Sequence, residues 1–336
     1  MFLYSFSRNF AEKEQRMNSN RTVSVVMATY NGERYIREQL DSIVAQTYPL
    51  KEVIIQDDGS TDHTLDICQE YAARYPFIHV FANEQNKGLD ANFESATMRS
   101  TGDFVALSDQ DDVWYPEKIS RQVEAIGDHD ICFSCYDRGP DRAHSVLVKQ
   151  QYQLEALLFA GFAGHTMLLR GDFARTADYW DLGRQTPFMH YDWSLAIFAQ
   201  LGRGIIRLDE SLNLHRSNPQ SAIAQELKKD GRMSPYAPYL HGLHEYRSMQ
   251  RRPEYQRLYG LIHSHTSKSF QPVAHQMSGL MLKRGLWALC RLGRLCCRHR
   301  STIYWNEGAQ GWMGAVRSFC YPLIFAYNNK KFYQNQ

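Results

Sequence analysis

Between residues 23 and 108 the chain repeats one pattern: a short, β-branched apolar run, then a segment whose apolar residues recur at helical spacing. Residues 23–27, 53–55, 77–81 and 104–107 read as strands, and the unbroken apolar character of most of them suits strands buried on both faces. Tyr35, Ile36, Leu40, Ile43 and Val44 mark a helix over 33–46; a second helix runs from 65 to 73 and a third from 92 to 99. This alternation predicts an α/β fold with a mainly parallel central sheet and helices on both faces. Sheets of that kind bind ligands beyond the carboxyl ends of their strands. Polar residues collect at those ends here: Thr29, Tyr30 and Asn31 after the first strand, Asp57 and Asp58 after the second, and residues 109–112 after the fourth.

Further along, the pattern becomes mixed. Strands are expected at 131–136, 165–169 and 204–208, and helices at 151–159 and 192–201. Beyond Ser221 the alternation gives way to helical, aromatic segments studded with Arg. The expected organisation is an extension over 1–20, an α/β domain over 21–222 in two halves, 21–115 and 116–222, and a helical, basic region over 223–336. Met17 is an alternative start.

The acidic run Ser108-Asp109-Gln110-Asp111-Asp112 is the strongest chemical signal. Three carboxylates within four residues repel one another, and a shared cation relieves that repulsion. Hard oxygen ligands suit Mg²⁺ or Mn²⁺, which bind through one or two carboxylates together with substrate phosphates. A solvated acidic turn would show the same letters. Asp57-Asp58-Gly59-Ser60-Thr61-Asp62 has a similar ambiguity: one acid can cap the next helix, which leaves two more at the strand end. A carboxylate there can accept a hydrogen bond from a nucleobase while Tyr30 stacks on the ring. Neither Gly-x-Gly-x-x-Gly nor a phosphate-binding Gly-Lys loop follows the first strand, so a dinucleotide or P-loop site is not expected.

Taken together, VSVVMATYN (23–31), VIIQDDGSTD (53–62), Asn86-Lys87-Gly88 and SDQDDVWYPEKI (108–119) resemble family 2 glycosyltransferases, and SDQDDVW is most similar to the bacterial rhamnosyltransferase-like members. The resemblance covers about residues 22–220 and implies that 21–222 is the catalytic domain, with 21–115 its nucleotide-sugar half and 116–222 its acceptor half. It implies the GT-A nucleotide-sugar-binding fold and an inverting, metal-dependent transfer of hexosyl type, using Mg²⁺ or Mn²⁺. Ala28, Thr29, Tyr30 and Glu33 would line the nucleoside pocket, and Asp57 or Asp58 would hold the base. Lys87 and Asn92 would contact the donor. Asp109 and Asp111 would be the Asp-x-Asp pair, with Asp109 towards ribose and sugar, Asp111 on the metal and Asp112 assisting. Ala28 stands where the family usually has Pro.

Inversion needs a base for the acceptor hydroxyl. The segment Met189-His190-Tyr191-Asp192-Trp193 resembles the family's acidic acceptor-side motif, which makes Asp192 the base and puts His190 and Trp193 near the acceptor; a simple helix N-terminal Asp is the structural alternative. GFAGHTMLL (161–169) resembles the family's acceptor-side glycine segment, with Gly164, His165 and Thr166 towards the sugar. His215-Arg216-Ser217-Asn218 falls where relatives carry Tyr-Arg-x-His. Arg216 would neutralise the leaving diphosphate, and His215 is an uncertain metal ligand because the family's His falls at Asn218.

Composition matters chiefly for location. Lys plus Arg number 38 against 36 Asp plus Glu, a near balance that hides a split. From Lys228 on there are 17 basic and 4 acidic residues, against 21 and 32 before it. Over 277–300, Lys283, Arg284, Arg291, Arg294 and Arg298 share one sector of about 100°, opposite Met281, Leu282, Leu289, Leu292 and Cys296. That suits an anionic membrane surface, or a helical subdomain with its Arg residues in water. Residues 311–327 form a second apolar stretch. No apolar run reaches the length of a membrane span, about 18 residues. Seven irregularly spaced Cys fit reduced thiols, and Cys132-Phe133-Ser134-Cys135 reads as core thiols in a strand.

The expected partners are a nucleotide-diphosphate-sugar donor, a glycan or lipid-linked saccharide acceptor and an anionic membrane surface, with no nucleic acid. The expected location is the cytoplasm, peripheral at the inner face of its membrane, in cell-surface polysaccharide synthesis. A sugar nucleotidyltransferase and a non-catalytic subunit with a nucleotide-binding fold are the alternatives. The first would carry a Gly-rich basic loop where this chain has Thr-Tyr-Asn.

Overall fold

The structure is a computed structural model and describes residues 21–216, 236–303 and 311–330. The chain divides into two compact units. The first comprises residues up to 148 together with 163–177 and 203–217; the second comprises 149–162, 178–202 and the rest of the chain from 218. The helical unit therefore takes in two segments that precede the composition change near 222.

The first unit is built on a sheet. Its strands are β1 (Val23–Thr29), β2 (Glu52–Asp57), β3 (Ile78–Ala82), β4 (Phe104–Ser108), β5 (Val113–Trp114), β6 (Ile131–Arg138), β7 (Val146–Val148), β8 (Met167–Arg170) and β9 (Ile205–His215). Their order is β3-β2-β1-β4-β8-β6-β9-β5, with β7 on the outer part of β6. The pairs β3–β2, β2–β1 and β1–β4 are parallel, as the alternation predicts. β8 runs antiparallel to both β4 and β6, and β9 runs parallel to β6. The sheet is thus parallel on one side and mixed on the other.

Helices α1 (Ile36–Val44), α2 (Thr64–Arg74), α3 (Leu89–Arg99) and α4 (Lys118–Ala125) lie between the strands. Every residue of β1 and of β4 is buried, so these strands need apolar side chains on both faces. Ile36, Leu40 and Ile43 pack from α1 into a core with Val25, Met27, Val53, Ile55 and Ala106. Cys132 and Cys135 are buried in β6.

Strand polarity decides where the site can be. β8 reverses between β4 and β6, so β6 and β9 point the same way as β4. The carboxyl ends of β1, β2, β4 and β9 therefore share one edge with the residues that lead into β8. Two register shifts in the β6–β9 pairing bring His215 opposite Arg138 at that edge. Such bulges re-aim side chains at strand ends.

The second unit is helical. It contains α5 (Leu154–Leu157), most of α6 (Ala177–Arg184), α7 (Tyr191–Leu201), α8 (Ala237–Met249), α9 (Pro253–Ser264), α10 (Pro272–Met281), α11 (Leu286–Arg298), α12 (Gly311–Phe319) and α13 (Tyr321–Asn328). An aromatic cluster of Phe159, Phe188, Trp193, Tyr321 and Phe325 joins α7 to α13. The helix expected over 151–159 shortens to α5, because Gln153 is extended at its start. Among the described residues, no helix is long and apolar enough to cross a membrane.

The entry to β4 is tight. Gly102 donates its N–H to Ser24 Oγ at 2.8 Å. A Cβ there would lie 2.6 Å from Ser24 N and 2.8 Å from Phe104 O, both backbone atoms of the sheet. Gly102→Ala should cost about 1–3 kcal/mol through overpacking and lower the thermal midpoint by several degrees. An unchanged melting curve would mean that this contact relaxes freely.

Candidate active site

The loop after β1 is held by the loop after β2. Asn31 adopts a positive φ of 48°, donates its N–H to Ser60 Oγ and accepts from Thr61 N. Gly32 N–H donates to Thr64 Oγ1 at 2.7 Å, and Glu33 Oε2 accepts from His63 N. Asp57 is fully buried, and its carboxylate accepts from Thr29 Oγ1, Ser60 N and Ser60 Oγ at 2.6–2.8 Å. Asp58 is buried as well and accepts from Asn83 Nδ2, Lys87 N and Gly88 N at 2.8–2.9 Å. Asn92 completes this group: its Nδ2 donates to Gln56 O, and its Oδ1 accepts from Asn83. A carboxylate offers about four acceptor positions, and each of these two already uses three. Much of the chemistry of Asp57 and Asp58 is thus spent on shaping loops. Lys87 is exposed, as are Tyr30 and Glu33, while Ala28 and Thr29 are buried.

Gln110 ties the acidic turn to the first loop. Its Oε1 accepts from Tyr30 N at 3.0 Å, and its Nε2 donates to Tyr30 O at 2.9 Å. This two-way bond mimics a strand pairing. It fixes the turn that carries Asp109 and Asp111 beside Tyr30.

Asp112 is the centre of the arrangement. It is wholly buried, with Oδ1 2.8 Å from His215 Nδ1 and Oδ2 3.0 Å from His165 Nδ1. Asn213 Nδ2 lies 3.3 Å from Asp112 Oδ2 and 2.9 Å from His165 Nδ1. The two imidazoles stack with centroids 4.8 Å apart and planes 8° from parallel. Tyr136 meets both edge-on. Burial alone would raise the Asp112 carboxyl; His165 and His215 outweigh it and hold the group far below the usual carboxylate range. Burial lowers His165, with Asp112 acting against it. Burial also opposes charge on His215, yet Asp112, Asp109 and Asp111 lift that imidazole to about 9. Lys118 lies under the turn, fully buried, over the Trp114 ring at 4.8 Å, and its Nζ donates to His165 O at 2.8 Å. Burial pulls its ammonium down to about 7, with Asp112 and Asp109 resisting.

These residues fit a divalent cation. Three carboxylates make the surroundings of His215 negative enough to attract positive charge, and His215 turns Nδ1 to Asp112, which leaves Nε2 for a ligand. Metal-binding His residues characteristically hold a carboxylate through their second nitrogen. Asp112, His165 and His215 have donor atoms within 4.8 Å of one another. Asp112 is enclosed by its hydrogen bonds, which leaves His215 Nε2, near the charges of Asp109 and Asp111, as the nitrogen a cation could reach.

Sequence reasoning names most of this cluster but misses Asn213, Lys118 and Tyr136. Asn213 had a signal: it stands two residues before His215 on β9, so the two side chains share a face. His165 and Thr166 are buried in the turn before β8, and Gly164 opens that turn. Arg216 places Nη2 2.8 Å from Glu38 Oε2, not aligned as a hydrogen bond, and its guanidinium lies over Tyr35 at 5.5 Å. Ser217 and Asn218 lie outside the described residues.

In the helical unit, His190 is exposed and extended ahead of α7, and Asp192 stands in its first turn. Asp192 Oδ1 accepts from Trp193 N at 2.7 Å. Trp193 is buried, and its indole N–H donates to Leu157 O at 2.7 Å. Gly161 allows this approach, since a Cβ there would sit 2.5 Å from Trp193 Cβ.

Residues 24–181 match the model of the Glycosyl transferase family 2. This segment is a family 2 glycosyltransferase domain. It spans the first loop, the acidic turn and the turn before β8. The dTDP-rhamnosyl transferase RfbG of Shigella flexneri is 41% identical over 105 residues, 30% of this chain and 36% of that protein. The chain spans 34–58% of the length of the curated relatives it matches. Among solved structures, S. aureus TarS 1–349 in complex with UDP-GlcNAc superposes with a TM-score of 0.53 at 19% identity, over 92% of this chain and 91% of that one. The mannosyltransferase PcManGT of Pyrobaculum calidifontis, in complex with GDP-Man and Mn²⁺, gives 0.52 at 17% identity over 98% and 95%. The fold is that of the GT-A glycosyltransferases.

Asp112→Asn should destabilise the domain by about 3–5 kcal/mol, the cost of breaking a buried ion pair. Chemical denaturation measures it; a loss under about 1 kcal/mol would show that the imidazoles do not depend on this carboxylate.

Proposed function

We propose that this chain transfers a single sugar from a nucleotide-diphosphate donor to a hydroxyl of a glycan or lipid-linked saccharide, with inversion at the anomeric carbon. One observation carries the reading: the acidic turn of a family 2 domain lies at the shared strand edge with His215 held by Asp112. The nucleoside enters beside Tyr30, whose exposed ring stacks on the base. Ala28, Thr29 and Glu33 belong to the same loop, and Asp57 or Asp58 reads the base from its remaining acceptor position. Lys87 and Asn92 border the donor, and Asp109 faces the ribose and sugar.

Asp109, Asp111 and His215 would hold a Mg²⁺ or Mn²⁺ ion, which when bound neutralises the donor diphosphate. Asp192 takes the acceptor proton. The acceptor oxygen then bonds to the anomeric carbon as the bond to the diphosphate oxygen breaks, and the nucleotide diphosphate leaves with the electron pair. Arg216 supports the departing charge once it exchanges Glu38 for phosphate. By motif, His190 and Trp193 of the helical unit belong to acceptor binding; Gly164, His165 and Thr166 of the sheet unit shape the acceptor side. His165 does so from within, by fixing the turn.

RfbG is named a dTDP-rhamnosyl transferase, which supports rhamnose as the first donor sugar to test. The reading places the protein in polysaccharide synthesis, peripheral at the cytoplasmic membrane face.

Release of nucleotide diphosphate from a donor panel, with and without divalent metal, tests the proposal. Asp111→Ala should abolish metal-dependent turnover. Asp192→Asn should lower kcat by about 10²–10⁴-fold, the usual worth of a positioned base, and leave donor KM unchanged. Wild-type rates in both variants would reject the assignment.

A further inference from the structure

In the helical unit, α11 and α12 form an antiparallel pair. Cys297 Sγ donates to Ala315 O at 3.2 Å, and Gly293 lies against Phe319, where a Cβ would come within 2.6 Å of the carbonyl oxygen. Ala288, Leu292, Gly293 and Cys296 are the buried residues of α11; Gly314 and Ser318 are those of α12. At 100° per residue, Trp312, Met313, Val316 and Phe319 occupy a sector of about 120° on the far side of α12 from Gly314 and Ser318. All four are exposed, Trp312 by 77% and Met313 by 67%. Leu286 and Trp287 are exposed at the start of α11. A packed helical domain normally buries such side chains.

Their own segments carry charge of one sign. Residues 272–303 and 311–330 hold eight Lys and Arg and not one Asp or Glu. Lys283, Arg284, Arg291, Arg294, Arg298 and Arg317 are exposed. Arg291 lies over the Trp287 ring at 4.6 Å. Exposed tryptophans interleaved with arginines are what a helix needs to sit at a lipid interface: rings enter the headgroup layer while guanidinium groups meet phosphate.

We propose that the exposed face of α11 and α12 docks on an anionic bilayer. This inference rests on the peripheral location proposed above and names the surface responsible. Eight Lys and Arg with no Asp or Glu across both segments favour a surface that is anionic throughout, as the headgroup layer of an anionic bilayer is. The face inserts aromatic side chains without spanning, consistent with helices of 13 and 9 residues.

The test uses the full chain and vesicles of phosphatidylethanolamine with phosphatidylglycerol, against vesicles of phosphatidylcholine alone. Co-sedimentation should occur with the anionic vesicles only and weaken with salt. Arg291→Gln with Arg294→Gln should weaken partitioning by roughly 25-fold, about fivefold for each charge near an anionic surface. Trp312→Ser with Met313→Ser should weaken it at least tenfold, with circular dichroism and donor turnover in solution unchanged. No binding by the wild type, or equal binding by both variants, overturns the proposal. So does lipid-free self-association that the Trp312 variant abolishes, which would assign the face to a second copy. Vesicle binding without donor turnover would instead leave this surface standing and remove the catalytic reading.

Discussion

A carboxylate buried at zero exposure sets the terms for this site. Asp112 is closed to bulk solvent, and an isolated buried charge is too costly to keep. Its price is met by three side chains from two other parts of the sheet: His165 from the turn before β8, and Asn213 and His215 from β9. Because Asp112 follows Asp111 directly, anchoring one orients the other. The neighbouring Gln110 is locked to Tyr30 by two hydrogen bonds. The acidic turn is thus pinned on both sides of Asp111, which limits how far Asp109 and Asp111 can separate to relieve their repulsion. A preorganised negative site of this kind attracts a cation without a large rearrangement.

The same logic separates the two acidic clusters, which look alike in the sequence. Asp57 and Asp58 spend most of their acceptor positions on backbone and side-chain donors of adjoining loops. Their negative charge is distributed over protein N–H and O–H groups. Asp112, with Asp109 and Asp111, raises the His215 imidazole instead. The two clusters therefore differ in what their carboxylates act on: loop N–H and O–H groups in one, an imidazole in the other.

Legibility in the sequence follows burial. β1, β2 and β4 were readable because strands covered on both faces require apolar runs, and no helix of that length competes. β5 is two residues long, and its Trp114 pairs with Asn213 of β9; a pattern of period two cannot be seen in two residues. β9 was expected to end at 208 but runs to His215, since its half-buried stretch alternates too weakly to show. That extension decides His215: a residue that looks displaced in a loop motif is the last member of a strand, delivered to the edge by strand polarity. The clustering of His165 with Asp112 was not legible at all, because it depends on β8 running antiparallel between β4 and β6.

Near-neutral net charge conceals how charge is used along the chain. In the sheet unit several acids are buried or paired: Asp57, Asp58 and Asp112 are buried, and Asp130 pairs with Arg203. In α11 and α12 the bases have no carboxylate within their own segments to meet, and the largest exposed apolar side chains of the helical unit stand among them. Solubility alone would favour either feature without the other: scattered arginines on a wet helix, or apolar groups turned inward. Their coincidence on one helix pair is what the proposed docking on an anionic bilayer accounts for, since the two kinds of group would then meet different depths of the same layered surface.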